Sequence, residues 1–324
     1  MGEPKTEWNR QAPSIANLDE IIDTAKQFPP LNPTVVKLSS MIVDPNVGLN
    51  EMSTLISYDQ ALTVELLKAA NSAYVGRAMR VTSVQEAISF LGEFKTLNLL
   101  LSCTVGSHLR SLKLLVYNLL ENQLWRDSVL ASITAEQCSK VFRVHAPQVS
   151  TTSALLHNVG KVVMSRFMNA EIQEYLSICK MSGKDQVEAE MEILSVHYGE
   201  IGGIIAQNWG LPFEITVGIS FQHDPNIVKN VTSDVTHVCY RMVDFLSKNL
   251  DLSKGEHLID QSVIERLKPS SKQWFEVLFE LVKDRYEKVC KSYDLSAPET
   301  TPANWDWRPQ EIEQADEPKN TIVV

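Results

Sequence analysis

The stretch Ala154-Leu-Leu-His-Asn-Val-Gly-Lys-Val-Val-Met-Ser-Arg-Phe167 constrains the fold of this chain more than any other. Its apolar residues Leu155, Leu156, Val159, Val162, Val163 and Phe167 mostly fit one face of a helix. His157, Asn158 and Lys161 fall on a different face, with His157 and Lys161 spaced as an i, i+4 pair. The spacing predicts one amphipathic helix that carries a row of polar groups. Helical spacing recurs along the chain, and the first 110 residues hold no convincing two-residue alternation, so an all-α fold is expected.

Start and stop signals divide the rest. Asn17 caps a helix bearing Leu18, Ile21, Ile22 and Ala25, which ends at Pro29-Pro30. Asn32-Pro33 restarts a helix that stops at Asp44-Pro45. A short helix follows near Glu51 to Ser57. Asp59 opens the next, with Leu62, Val64, Leu66 and Leu67 as expected core positions. Ser83-Val-Gln-Glu86 reads as a capping box before Ala87, Ile88 and Leu91, and Gly92 interrupts that pattern. Leu97 to Leu109 is apolar enough to be largely buried. A long helix spans Glu121 to Val144. Asn169 caps a helix closed at Gly183, Glu188 to Leu194 is acidic outside and apolar inside, and Ile201 to Trp209 is closed by Gly210 and Pro212. Helices over Phe213 to Phe221, Asp234 to Leu250, Val263 to Leu267 and Ser271 to Cys290 complete the set.

Composition narrows the class. A chain of 324 residues can bury about three quarters of its unfolded surface. No apolar run reaches the length of a membrane span, and the first residues lack the apolar core of a signal peptide. The cysteines, at 103, 138, 179, 239 and 290, are odd in number and form no CxxC. Buried thiols in a reducing, cytoplasmic setting are the expected reading. A net charge of −10 disfavours a nucleic-acid surface, and Arg77 and Arg80 beside Gly76 read as a solvated turn. Residues 1–14 read as a flexible tail. Residues 293–324 read as a disordered acidic, proline-rich tail in which Trp305 and Trp307 are unexpected.

Several motifs resemble one family. Phe28-Pro-Pro-Leu31, Asp44-Pro45, Ala70-Asn-Ser-Ala-Tyr-Val-Gly76 and Ala87-Ile-Ser-Phe-Leu-Gly92 look like the HDOD family, the HD-related output domains of bacterial signalling proteins. Trp125, the His157 stretch and Trp209-Gly-Leu-Pro212 continue the likeness, over about residues 15 to 245. The resemblance implies an N-terminal helical bundle, residues 15–115, packed on an HD-like helical bundle, residues 116–292. It also implies a cytoplasmic regulatory protein, usually without catalysis. Asn71, Ser72, Tyr74, Gly76 and Gly92 of the family motif have a structural reading. Asn71 and Gly76 tolerate left-handed backbone at a helix end, and Gly92 permits a close helix approach or a sharp turn.

In catalytic members of the wider HD superfamily, His and Asp side chains hold a divalent metal that activates water against phosphate esters. The resemblance places those positions one by one. The first His falls at Asp127. The His-Asp pair falls at His157-Asn158, where a neutral amide is a poor replacement for an anionic oxygen ligand. The next His falls at Tyr198, with His197 one step away around the helix. The His-His pair falls at Gln222-His223, and the last Asp falls at Tyr240. His157 and His223 survive, with Asp127 as a substitute ligand. A catalytic site needs three protein ligands and an open position, so neither metal nor any other cofactor is expected. Lys161 reads by default as a surface lysine, with pairing to Asp127 or binding of a phosphate as alternatives. A packed, hydrogen-bonded polar cluster is expected where the metal would lie, with His157, Asn158 or His223 bonding the Tyr198 and Tyr240 hydroxyls.

Phosphate-loop, nucleophile-elbow and dinucleotide fingerprints are missing from the sequence. The expected function is therefore a non-catalytic bacterial signal-transduction module that binds a signalling protein in trans, or a small ligand. The alternative is a divergent metal-dependent phosphohydrolase acting on a nucleotide or cyclic dinucleotide.

Overall fold

The computed structural model describes residues 17–71, 81–110, 114, 117, 119, 122–144, 148–181, 185–247 and 252–292. Expectations placed on the two tails, on Ser72, Tyr74, Gly76, Arg77, Arg80 and Gly183, and on Trp305 and Trp307 lie outside these residues.

Among the described residues the chain is all-α. The helices are α1 Leu18–Lys26, α2 Pro33–Val43, α3 Leu49–Ser57, α4 Gln60–Ala70, α5 Val84–Leu91, α6 Glu93–Arg110, α7 Gln123–Val141, α8 Val149–Leu156 and α9 Gly160–Met164. They continue as α10 Ala170–Met181, α11 Gln186–Leu194, α12 Tyr198–Asn208, α13 Phe213–Ser220, α14 Pro225–Val228, α15 Val231–Ser247, α16 Leu252–Gly255, α17 Gln261–Leu267 and α18 Trp274–Ser292. The β contacts described are two isolated bridges, Leu114 with Leu119 and Phe142 with Pro269.

Short polar side chains start the N-terminal helices as their positions predict. Asn17 accepts from the Asp19 amide, Asn32 from Thr34, Asp59 from Leu62 and Ser83 from Glu86. Each satisfies a backbone donor that the first turn leaves unpaired. Two of these caps are joined, since Asn32 Nδ2 donates to Asp59 Oδ2 at 2.8 Å. Glu86 closes its half of the Ser83 box on the amide of Thr82 rather than of Ser83. Val64, an expected core position, is 48 % exposed, because α4 turns Leu62 and Leu66 inward and leaves Val64 on the opposite flank.

Two hydrophobic cores hold the helices together. The first contains Ile21, Leu38, Ile56, Leu66 and Leu101 from α1 to α6, and it runs on into Leu156, Val163, Ile201 and Ile219. Leu114, Tyr117 and Leu119, in the segment that leads to α7, are buried within it. The second core packs Leu130, Cys138 and Val141 of α7 against Val238, Val263, Trp274 and Phe275. Helix α7 thus faces the first core through Leu124 and Trp125 and the second through its remaining length. Polar clasps tie the N-terminal segment to α12. Trp209 Nε1 donates to the Pro29 carbonyl at 2.8 Å and Asn208 Nδ2 to that of Lys26 at 2.7 Å. A cleft of about 210 Å³ opens beside them, between Phe28–Asn32, α6 and Trp209.

Candidate functional site

The predicted helix over 154–167 is broken at its polar residues. Helix α8 ends at Leu156 and α9 starts at Gly160. Between them the backbone keeps right-handed angles at His157 and Val159, but its bonds run three residues back. Val159 N donates to Leu156 O, and Lys161 N to Asn158 O, both at 3.0 Å. Such a tightened turn shifts the register of the faces. Just after the break, the Gly160 backbone packs so closely that a Cβ there would stand 1.9 Å from the Tyr198 carbonyl oxygen. The polar face is not solvated either, since His157 and Asn158 are each 1 % exposed. The glycine of this Gly-Lys pair is therefore needed for helix contact.

Around this turn the structure gathers the expected positions. The His157 ring places Nδ1 2.7 Å from the Ala154 carbonyl, so Nδ1 carries the proton in that bond. Gln222 is fully buried, and its amide donates to the His157 carbonyl at 2.8 Å. His223 stands edge-on to Tyr198, at 4.7 Å between centroids, and to Tyr240, at 4.4 Å. Asp127 is buried on α7. Lys161 is half-buried and places Nζ 4.5 Å from the Tyr198 ring centroid and 5.4 Å from that of Tyr117, both cation–π contacts. It is thus no ordinary surface lysine.

The hydroxyl of Tyr240 corrects the expected pairing. It donates to Asp185 Oδ2 at 3.3 Å and accepts from Arg241 Nη1 at 3.1 Å, rather than bonding His157, Asn158 or His223. Those partners lie on α11's cap and on α15 itself, which the residue spacing did not bring together. His197, a near miss for the metal set, caps α12 instead. Its Nδ1 accepts from the Gly199 amide at 3.1 Å, while Glu200 accepts from the His197 amide.

Sequence reasoning missed three members of the cluster. Glu190, assigned to an acidic outer face of α11, is 0 % exposed, and its Oε2 accepts from the Tyr198 amide at 2.9 Å. Tyr117 comes from the connecting segment. His237, on α15, bonds the Gln222 carbonyl through Nδ1 at 2.7 Å, which fixes the backbone of the residue that holds His157. A carboxylate at the inward spacing of α11 was the one available signal for Glu190.

Burial dominates the electrostatics. It pushes the Asp127 carboxyl up to about 7 against the opposing pull of Lys161 and Arg126. It pushes Glu190 up to about 7 as well, against the Tyr198 amide and Lys161. Burial, reinforced by Lys161, lowers His157 to about 3, and burial lowers His237 to about 4. His223 is held well below its ordinary value by burial, with His197 and Lys161 adding to the effect. Burial lowers Lys161, and Asp127 and Glu190 oppose that shift.

These residues do not fit a metal centre. Both polar atoms of the Asn158 amide, Asp127 Oδ1, Gln222 Oε1 and His223 Nε2 are buried without a hydrogen-bond partner. In that set a neutral amide stands at 158, where a hard cation favours an anionic oxygen, and another at 222, where the related enzymes place a histidine. Among the described residues no three His, Cys, Asp or Glu side chains are grouped to hold a metal ion.

The HDOD domain profile matches residues 28–225, which is more than half of the chain. The chain belongs to the HDOD family. An uncharacterized protein from Treponema pallidum is 30 % identical over 226 residues, which is 68 % of this chain and 41 % of that protein. The chain thus spans about two fifths of that relative's length. A solved structure from Shewanella amazonensis, named as a candidate phosphohydrolase, matches with a TM-score of 0.60 at 18 % identity, covering 85 % of this chain and 99 % of that one. Another from Marinobacter aquaeolei, named as a candidate signal transduction protein, matches with a TM-score of 0.60 at 20 % identity, covering 85 % and 64 %. At such identities the likeness is one of fold.

The family-motif residues in view are structural. Asn71 donates to the Leu67 and Val81 carbonyls, both at 2.8 Å, and accepts from the Val81 amide at 2.7 Å. It does so with φ −95°, not in the left-handed conformation the sequence suggested, because the side chain itself makes the turn. Gly92 has φ +85° and open space where a Cβ would be, so it serves a sharp turn rather than a close approach. Of the cysteines, Cys138, Cys179 and Cys239 are buried and Cys103 is half-buried. Among the described residues no helix is long and apolar enough to cross a membrane.

Proposed function

We propose that this chain is a non-catalytic regulatory module of bacterial signal transduction that works by binding a protein partner in trans, or a small ligand. The observation that supports the reading is the packing of side chains at the positions where the resemblance places metal ligands. Tyr198 and Tyr240 close on His223 from two sides, Lys161 lies against the Tyr198 ring, and amides stand at 158 and 222. Hydrolysis of a phosphodiester needs a polarised phosphoryl oxygen and an activated water. Among the described residues no three His, Cys, Asp or Glu side chains are grouped to hold the ion that supplies both.

Elemental analysis of purified protein tests the proposal together with turnover assays on nucleotides and cyclic dinucleotides. The expected result is no stoichiometric Mn, Fe, Zn, Ni or Mg, and no turnover with any of them added. Near-stoichiometric metal that is lost together with activity in His157→Ala would establish the enzyme instead. A pull-down from the native host, with bound proteins identified, supplies the partner.

A further inference from the structure

We propose that α17, which lies beyond the family-matched span, is coupled to the His157 turn through His237, so that displacing the start of α17 rearranges the turn. This coupling goes beyond the regulatory reading and does not depend on it.

His237 stands on α15 and is 2 % exposed. Its Nδ1 faces the Gln222 carbonyl at 2.7 Å. A carbonyl only accepts, so Nδ1 carries the proton. Nε2 is left as an acceptor, and the amide of Asp260, the N-cap of α17, donates to it at 3.4 Å. Both nitrogens of one neutral ring are thereby used, and burial keeps the ring neutral by lowering its pKa to about 4. Gln222 carries the line onward, since its side-chain amide donates to the His157 carbonyl at 2.8 Å. Asp260, His237, Gln222 and His157 thus form one hydrogen-bonded line from the surface to the buried turn. Its outer end is braced. Asp260 Oδ2 accepts from Asn226 Nδ2 at 2.9 Å, and Oδ1 accepts from the Ser262 amide at 2.8 Å. Arg266 of α17 grips Asp234 through Nε at 2.8 Å and Nη2 at 2.6 Å, and Asn226 Oδ1 through Nη1 at 2.9 Å. Asn226 and Asp260 are exposed, so this end meets solvent while His157 does not. The longest bond in the line is the one from Asp260, and it is the place where the line opens. By linkage, whatever binds better to the displaced α17 also favours the rearranged turn, and the reverse holds equally.

Amide hydrogen exchange on the full chain, read residue by residue by NMR, tests the coupling. Asp260→Ala removes the bonds to Asn226 and the Ser262 amide at the outer end. Ser83→Ala removes the side-chain cap of α5 and is the control for a lost helix cap. The readout is the Val159 and Lys161 amides, which close the turn on Leu156 and Asn158. Asp260→Ala is expected to speed their exchange at least about threefold beyond the control, the size of one net hydrogen bond. Equal acceleration by the two variants would overturn the coupling. His237→Leu cuts the line, because it has neither ring nitrogen. In that background an Asp260→Ala effect reduced to less than about half supports the line, and a larger one overturns it. If His237→Leu does not fold, His237→Asn takes its place, since it keeps a donor for the Gln222 carbonyl and lacks the acceptor for Asp260. If neither folds, the comparison of Asp260→Ala with Ser83→Ala in the native background decides alone.

Discussion

Replacing Gly160 by alanine should be among the most damaging single-methyl changes in this protein. The added Cβ would stand 1.9 Å from the Tyr198 carbonyl oxygen and 2.6 Å from the Gly202 amide nitrogen. Both are backbone atoms of α12, so no side chain can rotate away. Helix α9 would have to retreat by about 1.1 Å even to reach the 3.0 Å below which real Cβ contacts are essentially not found. A gap of that size forfeits about a quarter to a half of the dispersion energy of each contact across it. Overpacking of a filled core costs about 1–3 kcal/mol, and the rigid neighbours place this case near 3 kcal/mol. Gly48→Ser is the matched control. Nothing lies within 4 Å of that Cβ position, and Gly48 is the N-cap of α3, so a change of no more than a few tenths of a kcal/mol is expected. Urea unfolding followed by circular dichroism reads both variants. A Gly160→Ala loss below about 1 kcal/mol would refute the claim that this glycine is required by the α9–α12 contact.

Three further outcomes are expected. His157→Ala should cost about 1–3 kcal/mol in the same assay, because it strips the buried Ala154 carbonyl of its side-chain donor, and an unchanged midpoint would show that the ring is dispensable. Burial raises the Asp127 carboxyl to about 7 from 3.8, so its contribution to stability is full below the unfolded value and is lost as pH rises through about 7. Asp127→Asn removes that loss, so the variant should gain on the native chain between about pH 5 and about pH 8, and a constant difference across that range would contradict the raised value. Trp209→Phe should cost about 0.5–1.5 kcal/mol by removing the bond to the Pro29 carbonyl, and a loss of zero would show that the clasp between α12 and the N-terminal segment is idle.

What could be read from the sequence was local. The caps at Asn17, Asn32, Asp59, Ser83 and Asn169 act within three residues of themselves, and each lies where its residue type and spacing place it. Gly210, with φ +73°, ends α12 for the same local reason. The site was legible in membership more than in bonding. His157, Asn158, Lys161, Tyr198, Gln222, His223 and Tyr240 do lie about one turn, but the close fit of Gly160 is against the Tyr198 backbone, far along the chain. Glu190 could not be placed inside without the helices that surround it. Tyr240 found Asp185 and Arg241 because α15 and the start of α11 meet in space, a juxtaposition that helical periodicity does not encode.

The double exposure of α7 has a practical consequence for anyone dissecting this chain. The family profile ends at residue 225, whereas Val238, Val263, Trp274, Phe275 and Leu278, which cover the second flank of α7, come after it. A fragment trimmed to the matched span would keep Asp127 and the His157 turn yet leave Leu130, Ile133 and Val141 facing water. Such an uncovered apolar stripe invites self-association. Expression boundaries for this protein therefore belong beyond Ser292, and oligomers seen with shorter versions would report the cut rather than the biology.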